Sequence, residues 1–192
     1  MSEITETTNA EIKKSRFTTK ELVFTALMAV IIAVCSWISI PATVPFTLQT
    51  FGVFMAVGLL GGKKGTLAIL VYILLGAVGV PVFAGFSGGI GILFGTTGGY
   101  IVGFLLSGLV YWGVTKAFGE KLVPVIIAMV LGLIVCYAFG TIWFMVVYAR
   151  NVESIGLVTA LGWCVFPFII PDAIKIALAI LLTKQLKKYV KI

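Results

Sequence analysis

Histidine is absent from the 192 residues, and charge of either sign is scarce at 11% of the chain. Soluble domains carry roughly 25% charged residues. So little charge, with 60% hydrophobic residues and a mean hydropathy of +1.17, excludes a water-soluble globular protein. Cysteine is limited to Cys35, Cys136 and Cys164, each alone in an apolar stretch. With no His beside them they offer neither a zinc site nor a disulfide framework, and they read as small buried packing residues. No G-x-x-x-x-G-K-[ST] loop is present, and the nearest basic glycine cluster, Gly61 to Gly65, lacks the spacing that cradles phosphates. Any ATP-driven step therefore needs its nucleotide site on another chain. An intramembrane enzyme finds no His, no paired carboxylates and no activated Ser or Cys constellation. The chain reads as no enzyme, without metal or cofactor.

What is present is apolar length. At about 20 residues per crossing, the chain accommodates at most six helices with short connections. The expected fold is an all-α integral membrane protein of six transmembrane helices. A polar tail over 1–16 precedes a single six-helix domain over 17–192, and no short apolar core marks a cleaved signal peptide. The first span is expected over 21–40, with Thr18 and Thr19 as caps and Glu21 in the first turn. Ala29 and Ala33 form a small-xxx-small pair, which suits either close approach by another helix or internal packing. Pro41 and Pro45 should make 40–47 an ordered connector. A short second span follows over 48–60, with Gln49 at its start, either reaching a ligand or facing solvent. Gly61 to Gly65 reads as a tight turn and the third span as 66–78.

The stretch 76–99 holds nine glycines in 24 residues. Gly89-x-Gly91-x-x-x-Gly95 lacks the strand-turn-helix context of a dinucleotide loop. A broken, partly re-entrant stretch fits better, lining a cavity with backbone groups around Ser87, Gly88 and Gly89 and with aromatic rings. Close helix packing through glycine is the alternative. Spans four and five are expected over 98–116 and 123–148, Trp143 and Tyr148 standing where an aromatic belt would put them. Residues 155–170 are apolar but interrupted, and the last helix is expected to start near Pro171.

Basic residues divide unevenly among the connectors. With six spans, twelve of the fourteen fall on one side: Lys13, Lys14, Arg16 and Lys20, then Lys63 and Lys64, Lys116 and Lys121, and four lysines from Lys184 onward. Only Arg150 falls on the other side, and Lys175 lies within the membrane. The positive-inside rule then makes both termini cytoplasmic. The net charge of +7 thus reports topology rather than nucleic-acid binding. The connector at 40–47, the glycine-rich stretch and the region before the last helix all share the outer half.

Asp172 and Lys175 stand three positions apart inside the last apolar segment, on one helical face. Charges at membrane depth are costly unless paired or facing a polar cavity, and by default they mark function. Pro171 suits a helix first turn, which would put Asp172 at the electropositive end. Two readings follow: an outward-opening cavity anchored by a carboxylate and an ammonium, or a structural pair locking the last helix to the bundle.

Three stretches carry a resemblance: PFTLQTFGVFMAVGLLGG, YILLGAVGVPVFAGFSGGIGILFGTTGGYIVGF and PDAIKIALA. Together they resemble BioY, the biotin-specific S component of energy-coupling factor transporters. The resemblance implies a six-helix S-component fold that captures biotin outside and joins a transmembrane T component and two cytoplasmic ATPases in the cell membrane. It ties Asp172 and Lys175 to biotin, and it suggests Ala29 and Ala33 as the docking pair for the T component. Phe83, Phe86, Tyr100 and Trp143 then become candidate walls for the bicyclic ring, and Arg150 a candidate partner for the carboxylate at the mouth. The chain departs from the family's usual Gly-Pro-Thr-Gly-Gly-Tyr in carrying Thr96 where the proline stands. A self-sufficient secondary transporter or facilitator is the alternative suggested by the broken helices and buried charges, against which stand the small size and the lack of an internal repeat.

Overall fold

The structure, a computed structural model, describes residues 18–189; the tail over 1–16 and the terminal Lys191 lie outside it. Helix α1, Thr19–Trp37, opens with a capping box. The Glu21 amide donates to Thr18 Oγ1 at 3.3 Å and the Thr18 amide donates to Glu21 Oε2 at 2.8 Å, which satisfies two otherwise orphaned donors. The helix ends before Pro41. The connector expected at 40–47 is a small hairpin of β1, Ser39–Ile40, and β2, Phe46–Thr47, antiparallel with Ser39 opposite Thr47. Both prolines fall in its loop, where no ladder donor is needed.

Helix α2, Gln49–Ala77, leaves helical geometry at Gly61, whose φ of 77° suits glycine. Gln49 Nε2 donates to Tyr72 Oη at 2.9 Å. In a straight helix residues that far apart in sequence are about 34 Å distant, so the two halves fold back antiparallel. The expected turn over Gly61 to Gly65 is thus corrected to a break at Gly61 alone, with the next helix already running through Gly62 to Gly65. Glycine at those later positions serves packing. A Cβ on Gly62 would stand 2.4 Å from Trp112 Cα, and one on Gly65 2.4 Å from Val57 Cα.

The glycine-rich stretch forms a single 3-10 turn, Ala84–Phe86, and a five-residue helix α3, Ile90–Phe94. The turn before α4, Gly98–Phe118, closes with Thr96 in place: the Gly98 amide donates to Gly95 O and the Tyr100 amide to Thr97 O, both at 3.1 Å. Helix α5 is Leu122–Asn151, α6 is Leu157–Cys164, and α7 is Phe166–Leu186. The last helix therefore begins at Phe166, not near Pro171, which sits inside it. Pro171 removes one bond, to the Pro167 carbonyl, a loss that membrane helices tolerate near protein or cavities. Asp172 consequently lies beyond the first turn, where the helix dipole has faded.

Five stretches are long and apolar enough to cross a membrane, Gln49–Ala77 among them. Because that one folds back, the described residues make six passes. The first half of α2 is the axis: every residue from Gly52 to Leu60 is buried. Helices α1, α4 and α7 pack against α2, and α5 packs against α4. Lys64 pairs with Glu21 at 2.6 Å and Lys187 with Glu120 at 2.9 Å, which gathers the start of α1, the Gly61 break, the α4–α5 turn and the end of α7 at one basic end. The β-hairpin and glycine-rich stretch occupy the other. Ala29 and Ala33 are only 2% and 4% exposed. The docking role expected of them is corrected, since their face of α1 is turned into the bundle, where they pack the chain itself.

Candidate ligand cavity

At the end opposite the lysines a cavity of about 250 Å³ is enclosed by the β-hairpin, the start of α2, the glycine-rich stretch, α4, α5 and α7. Asp172 and Lys175 face it from α7, and both are buried. Lys175 Nζ donates to Asp172 Oδ1 at 2.8 Å and to the Thr47 carbonyl at 2.6 Å, and it lies 4.5 Å from the centre of the Phe46 ring. The Phe46 ring stacks on Phe168 of α7 at 5.4 Å. From α5, Tyr137 Oη donates to Asp172 Oδ2 at 2.5 Å, in the range of a charge-assisted bond. The carboxylate therefore accepts one bond on each oxygen and keeps lone pairs for more. The pair is locally neutral, so the cavity holds polar capacity without a bare charge.

The remaining walls are apolar and firmly seated. Phe83, 1% exposed, packs edge-on to Tyr72 at 5.6 Å, over Gly76, where a Cβ would lie 2.0 Å from the ring. Tyr100 lies against Gly140, where a Cβ would stand 2.3 Å from its ring, and its hydroxyl is 3.0 Å from Thr141 Oγ1. Phe104, Leu133 and the free thiols of Cys136 and Cys164 complete this side. Gln49 and Thr50 bring the start of α2 to the cavity, and Ser87 and Thr97 add hydroxyls.

Of the residues singled out from sequence, Asp172, Lys175, Gln49, Phe83, Ser87 and Tyr100 come together here. Five others stand elsewhere. Phe86 is 65% exposed and stacks on Trp37 at 5.1 Å. Trp143 donates Nε1 to the Gly95 carbonyl at 3.0 Å and packs over Gly99, so it braces the turn before α4. Gly88 packs against the Val80 carbonyl, the Gly89 amide donates to Gly76 O at 2.7 Å, and Arg150 is exposed in the last turn of α5. Sequence reasoning missed Tyr137. Its signal was faint: Tyr137 and Thr141 are hydroxyls four apart, hence on one face, in the middle of an otherwise apolar span.

The chain is thus a membrane bundle holding a small, mostly apolar cavity with one buried ion pair on its wall. A crystal structure of the S-component for biotin from an ECF-type ABC transporter superposes with a TM-score of 0.75 at 30% identity, covering 90% of this chain and 95% of that one. The fold is thus that of the S components. Residues 8–192 match the BioY family, to which this chain belongs. It is 41% identical to the biotin transporter BioY of Thermotoga maritima and 38% identical to a probable biotin transporter BioY of Pyrococcus horikoshii, in each case over 88% of this chain and 96% of the relative. The family is one of multi-pass membrane transporters, not enzymes.

Proposed function

We propose that this chain is the biotin-capturing subunit of an ATP-driven importer, with residues 17–192 acting as one binding domain. The observation that carries the reading is the Tyr137–Asp172–Lys175 array on the wall of an otherwise apolar cavity. Biotin has the matching parts: a ureido group with two N–H donors and a strong acceptor, a thiophane ring and alkyl chain that are apolar, and a carboxylate. Lys175 is engaged by Asp172 and the Thr47 carbonyl, which favours its neutralising Asp172 rather than the ligand carboxylate. Asp172 then accepts from a ureido N–H through its remaining lone pairs, while Phe83, Tyr100 and Phe104 enclose the rings. With the lysine-rich end cytoplasmic in the cell membrane, the cavity faces outward. The chain carries no nucleotide loop, which accords with energy supplied by two ATPases through a T component.

Isothermal titration of ligand-stripped protein tests the binding. Tight 1:1 binding of biotin without nucleotide is expected, and biotin methyl ester should bind nearly as well if Lys175 serves Asp172. Absence of biotin binding sinks the proposal. Proteoliposomes containing this chain alone should not accumulate biotin, and accumulation there would favour a self-sufficient transporter.

A further inference from the structure

The ligand cavity has two unlike ends. Asp172 and Lys175 are 2% and 5% exposed and are its only charged lining residues among those described. The lining that comes from the glycine-rich stretch, Phe83 apart, is half-buried: Ala84, Ser87, Ile92 and Thr97. Beside these in the chain, Gly85, Phe86, Ile90 and Gly91 are exposed, and a Cβ on Gly85 or Gly91 would meet nothing within 4 Å. The cavity is thus deep at the ion pair and shallow at this edge, where no cation contributes to the lining. Donors around the cavity are already engaged. Lys175 Nζ gives hydrogens to Asp172 and to the Thr47 carbonyl, Tyr137 Oη to Asp172, Gln49 Nε2 to Tyr72 Oη, and Ser87 Oγ to the Ala84 carbonyl at 2.8 Å. A second anion brought into this lining would meet no free counter-charge, and an unpaired ion away from water is costly enough to be kept out.

Resting on the biotin assignment, we infer that the site does not read the carboxyl group of its ligand and therefore also captures biotin joined through that carboxyl to a small amine, as in biotinamide and biotinyl-lysine. With the ureido ring at Asp172, the alkyl chain runs toward the half-buried edge, and the carboxylate at its end stays in water beside Ser87, Ile92 and Thr97. A charge that is hydrated before and after binding contributes little that its amide lacks. The amide adds its bulk outside the cavity and keeps both ureido N–H donors and the apolar rings. The opposite seating, with the carboxylate on Lys175, would require Lys175 to give up Asp172 or the Thr47 carbonyl and would strand the group it left.

Competitive isothermal titration of the ligand-stripped full chain tests this, with biotin, biotinamide and biotinyl-lysine as the three ligands. Both amides should bind 1:1 within about fivefold of biotin, the most that one exposed charge contributes. Ile92→Lys, which sets a cation at the half-buried edge, should tilt the biotin-to-biotinamide ratio about fivefold toward biotin at low salt and lose the tilt at about 1 M salt. Should that variant not bind biotin, the wild-type comparison of the three ligands decides. Wild type that binds biotin but either amide more than about fivefold more weakly overturns the inference and leaves the biotin assignment standing. So does an unchanged ratio in an Ile92→Lys protein that still binds biotin, since the carboxylate then leaves elsewhere. No binding of biotin at all overturns both.

Discussion

Helix α7 enters an ion pair near each of its ends, Asp172–Lys175 at 2.8 Å and Glu120–Lys187 at 2.9 Å. In length they are the same interaction. The first pair has side chains 3% and 6% exposed and is held by a tyrosine hydroxyl and a backbone carbonyl, while the second is 49% and 38% exposed. Exposed pairs contribute roughly 0–1 kcal/mol. Breaking a buried one by removing a single partner costs about 3–5 kcal/mol, because the survivor is stranded. Distance alone therefore says nothing of a pair's importance; surroundings decide it, and a membrane interior makes the contrast extreme.

The largest expected effect comes from breaking the buried pair on one side. Lys175→Met strands the Asp172 carboxylate and should cost about 3–5 kcal/mol of stability, read as a fall in thermal midpoint in detergent, together with loss of biotin binding. Asp172→Asn/Lys175→Met sharpens the point: with no charge left to strand, the midpoint should return toward wild type while biotin binding stays lost. A double variant as unstable as the single would show that packing, not charge, sets the cost.

Tyr137→Phe comes next. It removes a bond to a charged acceptor, worth about 1.5–3 kcal/mol, so biotin affinity measured by titration should fall roughly ten- to a hundredfold. Gly140→Ala is smaller and acts through shape. The added methyl enters the Tyr100 ring, at a cost of about 1–3 kcal/mol for overpacking, and should weaken biotin binding without altering its pH or salt dependence. Smallest is Glu120→Gln at the exposed pair, which should move the midpoint by less than about 1 kcal/mol and lose even that in high salt. A large effect there would overturn the contrast between the two ends.

Much of the helical plan was legible because apolar length is a direct demand of the bilayer. The Thr18 cap, the loss of helix before Pro41 and the pairing of Asp172 with Lys175 follow from local rules. What escaped depends on neighbours remote in sequence. Gly76 and Gly140 are glycines because Phe83 and Tyr100 lie on them, and nothing near those positions announces it. The orientation of Trp143 is likewise set by a carbonyl in the turn before α4. Ala29 and Ala33 carry a motif that reads the same whether it meets its own chain or another, and only burial tells them apart. Pro171 is expected to start a helix because its missing donor is harmless there, yet it stands inside α7, where the lost bond to the Pro167 carbonyl is tolerated.

The break at Gly61 has a consequence for how a pocket is made. The dozen residues from Gln49 to Leu60 rise about 18 Å, against roughly 30 Å of hydrocarbon. Surrounded by protein, this central column owes nothing to lipid thickness and can stop short. The ligand cavity sits where its next turns would have continued, roofed by the hairpin that replaces them. The pocket is thus a truncated pillar rather than a hollow carved between full-length ones, and its depth is set by the number of residues between the hairpin and the glycine.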